Sequence, residues 1–142
     1  MALSAATRDS ALIKCAVAVA PVSDLQELKS DAGFFTNHLI VEDMIGSDAV
    51  KLKADSPRFH ADGISVPVLM VHGDEDWTVE PDQSEFMAKA MDAAKKPYKL
   101  VMIRDTDHYY REQDKLREMF TAITDFLRAP LAATPGTQTA AN

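Results

Sequence analysis

Three short apolar runs constrain the fold of this chain more than any other feature of its sequence. They read CAVAVAPV at residues 15–22, VPVLMVHG at 66–73 and YKLVMIRD at 98–105. Each run has the length of a strand, and the first two are apolar enough to be buried on both faces of a sheet. Pro21 and Gly73 lie in the turns that end them. Segments with helical spacing separate the runs, and this alternation predicts an α/β fold with a parallel sheet.

The segments between and after these strands show helical patterns. Asp82, with Glu85 three residues later, is predicted to cap a helix that Pro97 ends. The residues expected on the apolar face of that helix are Phe86, Met87, Ala90, Met91 and Ala94. A later helix is predicted from the spacing of Leu116, Met119, Phe120, Ile123, Phe126 and Leu127. The opening MALSAATRDSALI is also helix-like, and residues 30–54 look like an inserted helical excursion.

Length and composition predict one globular domain. The chain has 142 residues, of which 46% are hydrophobic and 26% charged. We assign residues 1–129 to the domain and 130–142, PLAATPGTQTAAN, to a disordered tail. Cys15 is the only cysteine, which excludes an internal disulfide, and we interpret it as an inert core thiol.

Charge and hydropathy exclude several partner classes. The net charge is −7 and no basic cluster is present, which argues against nucleic acid and anionic membranes as partners. The longest apolar runs have about eight residues, far fewer than the roughly 20 needed to span a bilayer. No signal-peptide pattern is seen, so we expect a cytoplasmic protein. No Gly-rich phosphate loop is present, and we predict no cofactor.

Polar clusters follow the second and third predicted strands. They read HGDED and RDTDHYY. Functional groups gather at the carboxyl ends of parallel strands, and an aspartate followed by a histidine at the next strand end matches the later part of a Ser…Asp…His triad. In such a triad the carboxylate orients the imidazole, which takes a proton from the serine. The same carboxylates lack a metal-ligand spacing motif, so we predict no metal site.

These motifs resemble a known family of enzymes. The pieces CAVAVAPVSD, SPRFHADGISVPVLMVHGDEDWTVEPDQSEFMAKAM and DTDHYY followed by a helix ending in DFL are similar, in order and spacing, to the C-terminal part of the catalytic domain of the prolyl oligopeptidase family. That family of serine peptidases includes acylaminoacyl and dipeptidyl peptidases. The resemblance implies a partial α/β-hydrolase fold, with about three parallel strands and flanking helices. It also implies that Asp76, in HGxxDxxV, and His108, in D-x-D-H, are the triad aspartate and histidine.

The nucleophile of the triad is not recognisable in this sequence. An α/β-hydrolase needs a G-x-S-x-G elbow before the first strand seen here. The nearest match, GISVP, has Pro67 in place of the second glycine, and its Ser65 precedes a strand rather than following one. The resemblance places MALSAATRD just beyond the glycines of the elbow. Because the oxyanion-hole donors also lie on earlier segments of the fold, we expect the chain to be inactive alone.

Other candidate residues have two readings each. Trp77 and Tyr109 could line a substrate pocket or pack their turns. We interpret His60 and His72 as structural, and Asp74 as a solvated turn residue. Four further apolar residues could form a pocket wall or lid, but core packing is favoured for them: Phe34, Phe35, Leu39 and Met44.

The resemblance also predicts partners. It places the missing nucleophile strand beside the strand at 15–22, whose apolar edge would then be unpaired and recruit another chain. We expect self-association through this edge, or a complex with a separate N-terminal half, and a peptide or ester substrate only in a complete enzyme. The alternatives are a non-enzymatic, self-associating binding module and a fragment of an esterase or dienelactone-hydrolase-like enzyme, because HGxxDxxV is shared across the wider fold.

Overall fold

The core of the protein is one sheet of three parallel strands in the order β1-β2-β3. A computed structural model describes residues 1–33 and 38–132. The strands are β1 (Ala16–Val19), β2 (Val68–Gly73) and β3 (Tyr98–Ile103). Gly73 pairs with Ile103, so β2 and β3 end at the same level. The predicted α/β architecture, a partial α/β-hydrolase sheet, is confirmed.

Helices cover both faces of the sheet. Within the described residues they are α1 (Ala2–Arg8), α2 (Leu25–Ala32), α3 (His38–Ile45), α4 (Ala49–Asp55), α5 (Asp82–Ala93) and α6 (Gln113–Ala132), with 3₁₀ turns at Ser10–Leu12 and Pro57–Gly63. The helix-like opening and the helical excursion before β2 are confirmed. None of the helices in these two ranges has the length and apolar character needed to cross a membrane. The cytoplasmic location stays a prediction.

Alternate residues of β2 point to two separate cores. Val68 and Met70 join α1 and α5 on one face, whereas Leu69 and Val71 join α6 on the other. Every residue of β2 is buried because the strand lies in the middle of the sheet with helices on both sides. This placement explains the continuous apolar run in its sequence.

The first strand is more open than its sequence predicts. Ala16 and Ala18 are buried against the α1 and α5 side, but Val17 is half-buried and Val19 is 39% exposed. The reason is that α6 packs on β2 and β3. Cys15 lies before the strand and is half-buried, so its interpretation as a core thiol is wrong.

The start of α5 differs from the prediction. Asp82 does not cap the helix; it is the first helical residue, and Pro81 occupies the cap position with φ −56° and ψ −26°. The proline ring holds its own φ near the helical value, and the amides of Gln83 and Ser84 already donate to the carbonyls of Glu80 and Pro81. A side-chain cap is therefore unnecessary. The exposed Asp82 carboxylate still favours the positive end of the helix dipole.

The inward face of α5 also includes polar residues. Met87 and Met91 are buried as predicted, but Phe86 is only half-buried. Gln83 and Ser84 are buried in its place; Gln83 bonds to the loop after β1, and Ser84 bonds to His72 in β2. The apolar periodicity could not identify these two residues because they satisfy hydrogen bonds rather than fill the core.

The last helix extends beyond the predicted domain boundary. It runs to Ala132, with Pro130 in its final turn, so three residues assigned to the tail are helical. Residues 133–142 lie outside the described part of the chain. Met119 is buried against the sheet, but Phe120 is exposed, contrary to its predicted place on the apolar face.

The helical excursion does not bury the apolar residues expected in the core. Leu39 and Met44 are exposed on α3, which has no buried residue, so their predicted core packing is wrong. Phe34 and Phe35 lie outside the described residues. The helix α2 is held instead by polar contacts, because Asp24 caps it and also pairs with Arg58 at 2.7 Å.

Candidate active site

The loop after β2 folds around Asp76. This carboxylate is buried, and its Oδ1 accepts the backbone N–H groups of Thr78 and Val79, both at 2.9 Å. An aspartate that bonds to amides two and three residues later closes a tight turn with its own side chain. The turn fixes one carboxylate oxygen and leaves Oδ2 facing the loop after β3.

The loops after β2 and β3 are joined along their backbones. The amides of Asp74 and Glu75 donate to the carbonyls of Ile103 and Thr106, at 3.0 and 3.1 Å. Gly73 makes this approach possible, since a Cβ on that residue would collide with the carbonyl oxygen of Thr106. The two loops therefore form one unit that carries Asp76 and the D-x-D-H turn.

The structure brings Asp76 and His108 together. His108 Nδ1 lies 2.7 Å from Asp76 Oδ2. An ionised carboxylate can only accept a hydrogen bond, so Nδ1 carries the proton and the Nε2 lone pair is free in the neutral ring. The His108 side chain is 30% exposed, whereas the Asp76 side chain is fully covered. The arrangement gives a proton acceptor at the surface, oriented by a buried charge.

Four hydrogen bonds keep Asp76 ionised. Burial by itself would raise the pKa of this carboxyl, and it is the largest single effect. The hydrogen bonds from His72, Val79, His108 and Thr78 act together in the opposite direction and lower the pKa to about 2. Asp76 therefore carries its negative charge throughout the neutral range.

A second histidine, His72, also contacts the carboxylate. It is fully buried at the end of β2; its Nδ1 lies 2.7 Å from Ser84 Oγ, and its Nε2 lies 2.9 Å from the Val79 carbonyl and 3.4 Å from Asp76 Oδ2. Ser84, His72 and Asp76 thus follow the order of a catalytic triad. All three are buried, so no substrate can reach Ser84, and the set is not a second catalytic centre.

The structural interpretation of His72 is correct, but its contact with Asp76 was not foreseen. The signal available in the sequence was a histidine at the end of an otherwise apolar strand. His60, the other histidine interpreted as structural, bonds through Nε2 to the Ala54 carbonyl at 2.7 Å.

Trp77 and Tyr109 flank the pair at the surface. Trp77 is 70% exposed and lines a cleft of about 230 Å³. The other residues of this cleft are Leu28, Asp31, Ala32, Val41, Thr78 and Glu80. The Tyr109 ring meets the His108 ring edge to face, with centroids 5.6 Å apart, and the Arg111 guanidinium lies 4.8 Å from the tyrosine centroid. Neither aromatic side chain is packed inside its turn.

Tyr110 lies on the inner side of the site and was not foreseen. Its side chain is buried with Val71 and Ile103. Within the described ranges its hydroxyl has no partner in good hydrogen-bond geometry, although the Gly73 backbone lies near enough to lower its pKa slightly. Burial, followed by the negative charge of Asp76, raises the pKa of Tyr110 to about 12, so the phenol is neutral. Across the same ranges, no three or more His, Cys, Asp and Glu side chains are grouped to hold a metal ion.

The chain is similar to known proteins in both sequence and structure. The sequence profile of the prolyl oligopeptidase family matches residues 1–134. A puromycin-hydrolysing peptidase of Mycobacterium tuberculosis superposes with a TM-score of 0.82 at 27% identity, over 95% of this chain and 21% of that one. No curated protein sequence matches the chain significantly.

Two further solved structures share the fold. Pyrococcus horikoshii acylaminoacyl peptidase has a TM-score of 0.77 at 18% identity, over 93% of this chain and 22% of that one. Porphyromonas gingivalis dipeptidyl peptidase 4 also has a TM-score of 0.77, at 22% identity, over 89% of this chain and 17% of that one. The chain therefore spans about a fifth of the length of the solved structures that it matches.

Proposed function

The chain belongs to the prolyl oligopeptidase family, and we propose that it supplies the aspartate and histidine of a Ser–His–Asp triad in a serine hydrolase. The observation that supports this proposal most strongly is the 2.7 Å bond between Asp76 Oδ2 and His108 Nδ1. A buried, ionised acceptor on one side and a partly exposed ring on the other are what a catalytic base requires.

The proposed chemistry is acyl transfer to a serine supplied by another segment. His108 Nε2 accepts the hydroxyl proton as the serine oxygen attacks the carbonyl carbon of an amide or ester, and it then donates that proton to the leaving group. A water molecule then attacks the acyl group while His108 Nε2 takes its proton. The histidine returns that proton to the serine oxygen as the acyl group leaves. Asp76 remains charged and stabilises the imidazolium that forms in each step.

The proposed substrate class is a peptide or a peptide-like amide or ester. This follows from membership of the family rather than from a pocket in this chain. The surfaces of Trp77 and Tyr109 next to the pair are the proposed contacts for such a substrate, because both rings are exposed beside catalytic-type residues. An esterase or dienelactone-hydrolase activity of the complete enzyme is the alternative within the same chemistry.

We propose that the chain alone does not turn over substrate. Its 142 residues contain no G-x-S-x-G elbow, and Ser84, the serine bonded to a histidine near the site, is buried. A base without a nucleophile and an oxyanion hole gives only slight catalysis. The missing parts would come from a segment that pairs with β1.

The open edge of β1 is the proposed docking position for that segment. Ala16 and Ala20 donate their amides to β2, so by alternation the amides of Val17 and Val19 point away from the sheet. An apolar edge with free backbone groups recruits another strand. The strand could belong to an N-terminal half or to a second copy, and pairing with a second copy would give the non-enzymatic, self-associating module that is the alternative function.

A chimera tests the proposed function. This chain would replace the matching fifth of the Mycobacterium tuberculosis puromycin-hydrolysing peptidase, which supplies the remainder of a hydrolase. We expect the folded chimera to hydrolyse puromycin, and Asp76→Asn or His108→Ala to lower kcat by at least about 10³-fold. Asp74→Asn, on the exposed side of the same loop, is the matched control and should retain activity. A folded chimera without activity, or one that tolerates both substitutions, would contradict the proposal.

A further inference from the structure

Asp76 Oδ2 lies between two imidazole rings with very different surroundings. His108 Nδ1 approaches at 2.7 Å from a surface loop, and His72 Nε2 approaches at 3.4 Å from the end of β2. The His108 ring is partly exposed, whereas the His72 ring is completely enclosed. One histidine is therefore free to meet a reacting partner and the other is not.

The partners of His72 determine where its proton lies. The Val79 carbonyl, 2.9 Å from Nε2, can only accept, so Nε2 carries the hydrogen. In a neutral ring Nδ1 then has a lone pair, which accepts the hydroxyl of Ser84 at 2.7 Å. These two contacts select one tautomer of that ring. Nε2 lies within reach of both oxygens, at 2.9 Å from the Val79 carbonyl and 3.4 Å from Asp76 Oδ2.

We propose that His72 is a positioning residue for the Asp76–His108 pair. Its Nε2–H bridges the Val79 carbonyl and Asp76 Oδ2, and so holds the carboxylate in the rotamer that accepts the hydrogen bond from His108. This inference rests on the proposed function of the pair as the aspartate and histidine of a triad.

The other contacts of Asp76 cannot hold Oδ2 by themselves. The amides of Thr78 and Val79 bind Oδ1, but a combined change of χ1 and χ2 can still move Oδ2 while Oδ1 stays bonded. His108 is on a surface loop and is the group to be oriented. Among the described contacts of Oδ2, only the one to His72 comes from a fully buried, doubly bonded ring. The contacts therefore run in series from Ser84 through His72 and Asp76 to His108, and the buried end of the series fixes the position of the exposed ring.

Two substitutions of His72 separate its two nitrogen atoms. His72→Gln can place an amide N–H near the position of Nε2, and His72→Asn can place a polar atom only near Nδ1. In ¹⁵N NMR spectra of the whole chain, we expect His108 to carry its proton on Nδ1. Exchange of that proton with water should be at least about tenfold faster in His72→Asn and within about twofold of wild type in His72→Gln.

A matched control removes a buried hydrogen bond elsewhere. Ser23→Ala deletes a buried hydroxyl that bonds to the Gln83 carbonyl at the start of α5, far along the network from Asp76 Oδ2. It should lower stability without changing the His108 proton signal. Equal exchange in His72→Asn and wild type would overturn the proposal, as would equal acceleration in Ser23→Ala.

The wild-type spectrum gives a test that does not depend on folding of any variant. We expect the ¹⁵N shifts of His72 to show a proton on Nε2 and none on Nδ1; a proton on Nδ1 instead would overturn the proposal. Neither result requires activity, so failure here leaves the chimera experiment to decide the proposed function. If Asp76→Asn leaves the His108 proton unchanged, the pair itself and with it the proposed function would be wrong.

Discussion

The β2–β3 half of the sheet and its β1 edge differ in how fully their backbone and side-chain groups are paired and covered. At β2 and β3, backbone bonds join the strand-end loops, Asp76 has a donor for each oxygen, and the strand between the two cores is fully buried. At β1, no other described strand pairs with the outer edge, and α6 leaves the face at Val19 39% exposed. The half that holds the proposed aspartate and histidine is thus self-contained, while the half that would adjoin a nucleophile is not.

This difference indicates how the proposed activity is divided. Orientation of the base depends on contacts within 72–110, all of which this chain provides. Activation of a nucleophile depends on an additional strand beside β1.

The largest effect is expected from inserting a methyl group between the two joined loops. Gly73→Ala places a methyl group on the Thr106 carbonyl, and backbone must move to relieve the collision. We expect a loss of about 3 kcal/mol in the free energy of unfolding, measured by urea denaturation. Gly46→Ala is the control, because it has a φ of +82° but open space around its Cβ; it should cost about 1 kcal/mol. Equal losses would show that the loops are not tightly joined.

Next in size is the charge of Asp76. Its pKa is lowered from 3.8 to about 2, so the charged form stabilises the fold above pH 4 and that contribution is lost as the pH falls towards 2. Relative to wild type, Asp76→Asn should be less stable by about 2 kcal/mol at pH 6, and the difference should disappear near pH 2.

Urea titrations at several pH values measure this difference directly. Asp74→Asn, at an exposed carboxylate two residues earlier, is the control for the same change of side chain in the same loop. A constant difference between Asp76→Asn and wild type across the range would mean that the Asp76 charge is not stabilised by the site.

The open side should respond to a charge on its edge. Val19→Lys places an ammonium group on the exposed face of the edge strand β1, and lysine in an edge strand is a residue that proteins use to block strand pairing. If the chain self-associates through β1, the dissociation constant from light scattering should rise at least about tenfold. Val50→Lys, the same substitution at an exposed residue of α4, should have no effect. A wild-type monomer at micromolar concentration would contradict self-association.

The smallest effect is expected from removing the buried hydroxyl of Tyr110. The Tyr110 hydroxyl is buried without a hydrogen-bond partner among the described residues, and such a group destabilises a fold. Tyr110→Phe should therefore be neutral or stabilise the protein by up to about 1 kcal/mol in thermal or urea unfolding. A loss of more than that amount would reveal a partner for the hydroxyl.

Much of this fold could be predicted from the sequence because local patterns coincide with it. The three apolar runs became the three strands, and HGDED and D-x-D-H lie where strand ends bring them together. In the described sheet β1 lies at one edge, and self-association through that edge stays a prediction.

The parts that could not be predicted depend on tertiary contacts. Nothing in the periodicity of α5 indicates that Gln83 and Ser84 are buried, since their burial depends on contacts with Ser23, 60 residues away, and with His72 in β2. The exposure of Leu39 and Met44 likewise depends on which surfaces pack on α3. His72 appeared structural, yet its geometry connects Ser84 with Asp76.

We propose that this chain holds an oriented aspartate and histidine but no nucleophile for them. Labelling with a fluorophosphonate probe, followed by peptide mass spectrometry, tests it most directly. The probe should label no serine in the pure chain, whereas it should label the serine that the partner sequence contributes in the chimera. Covalent labelling of any serine in the pure chain would contradict the account.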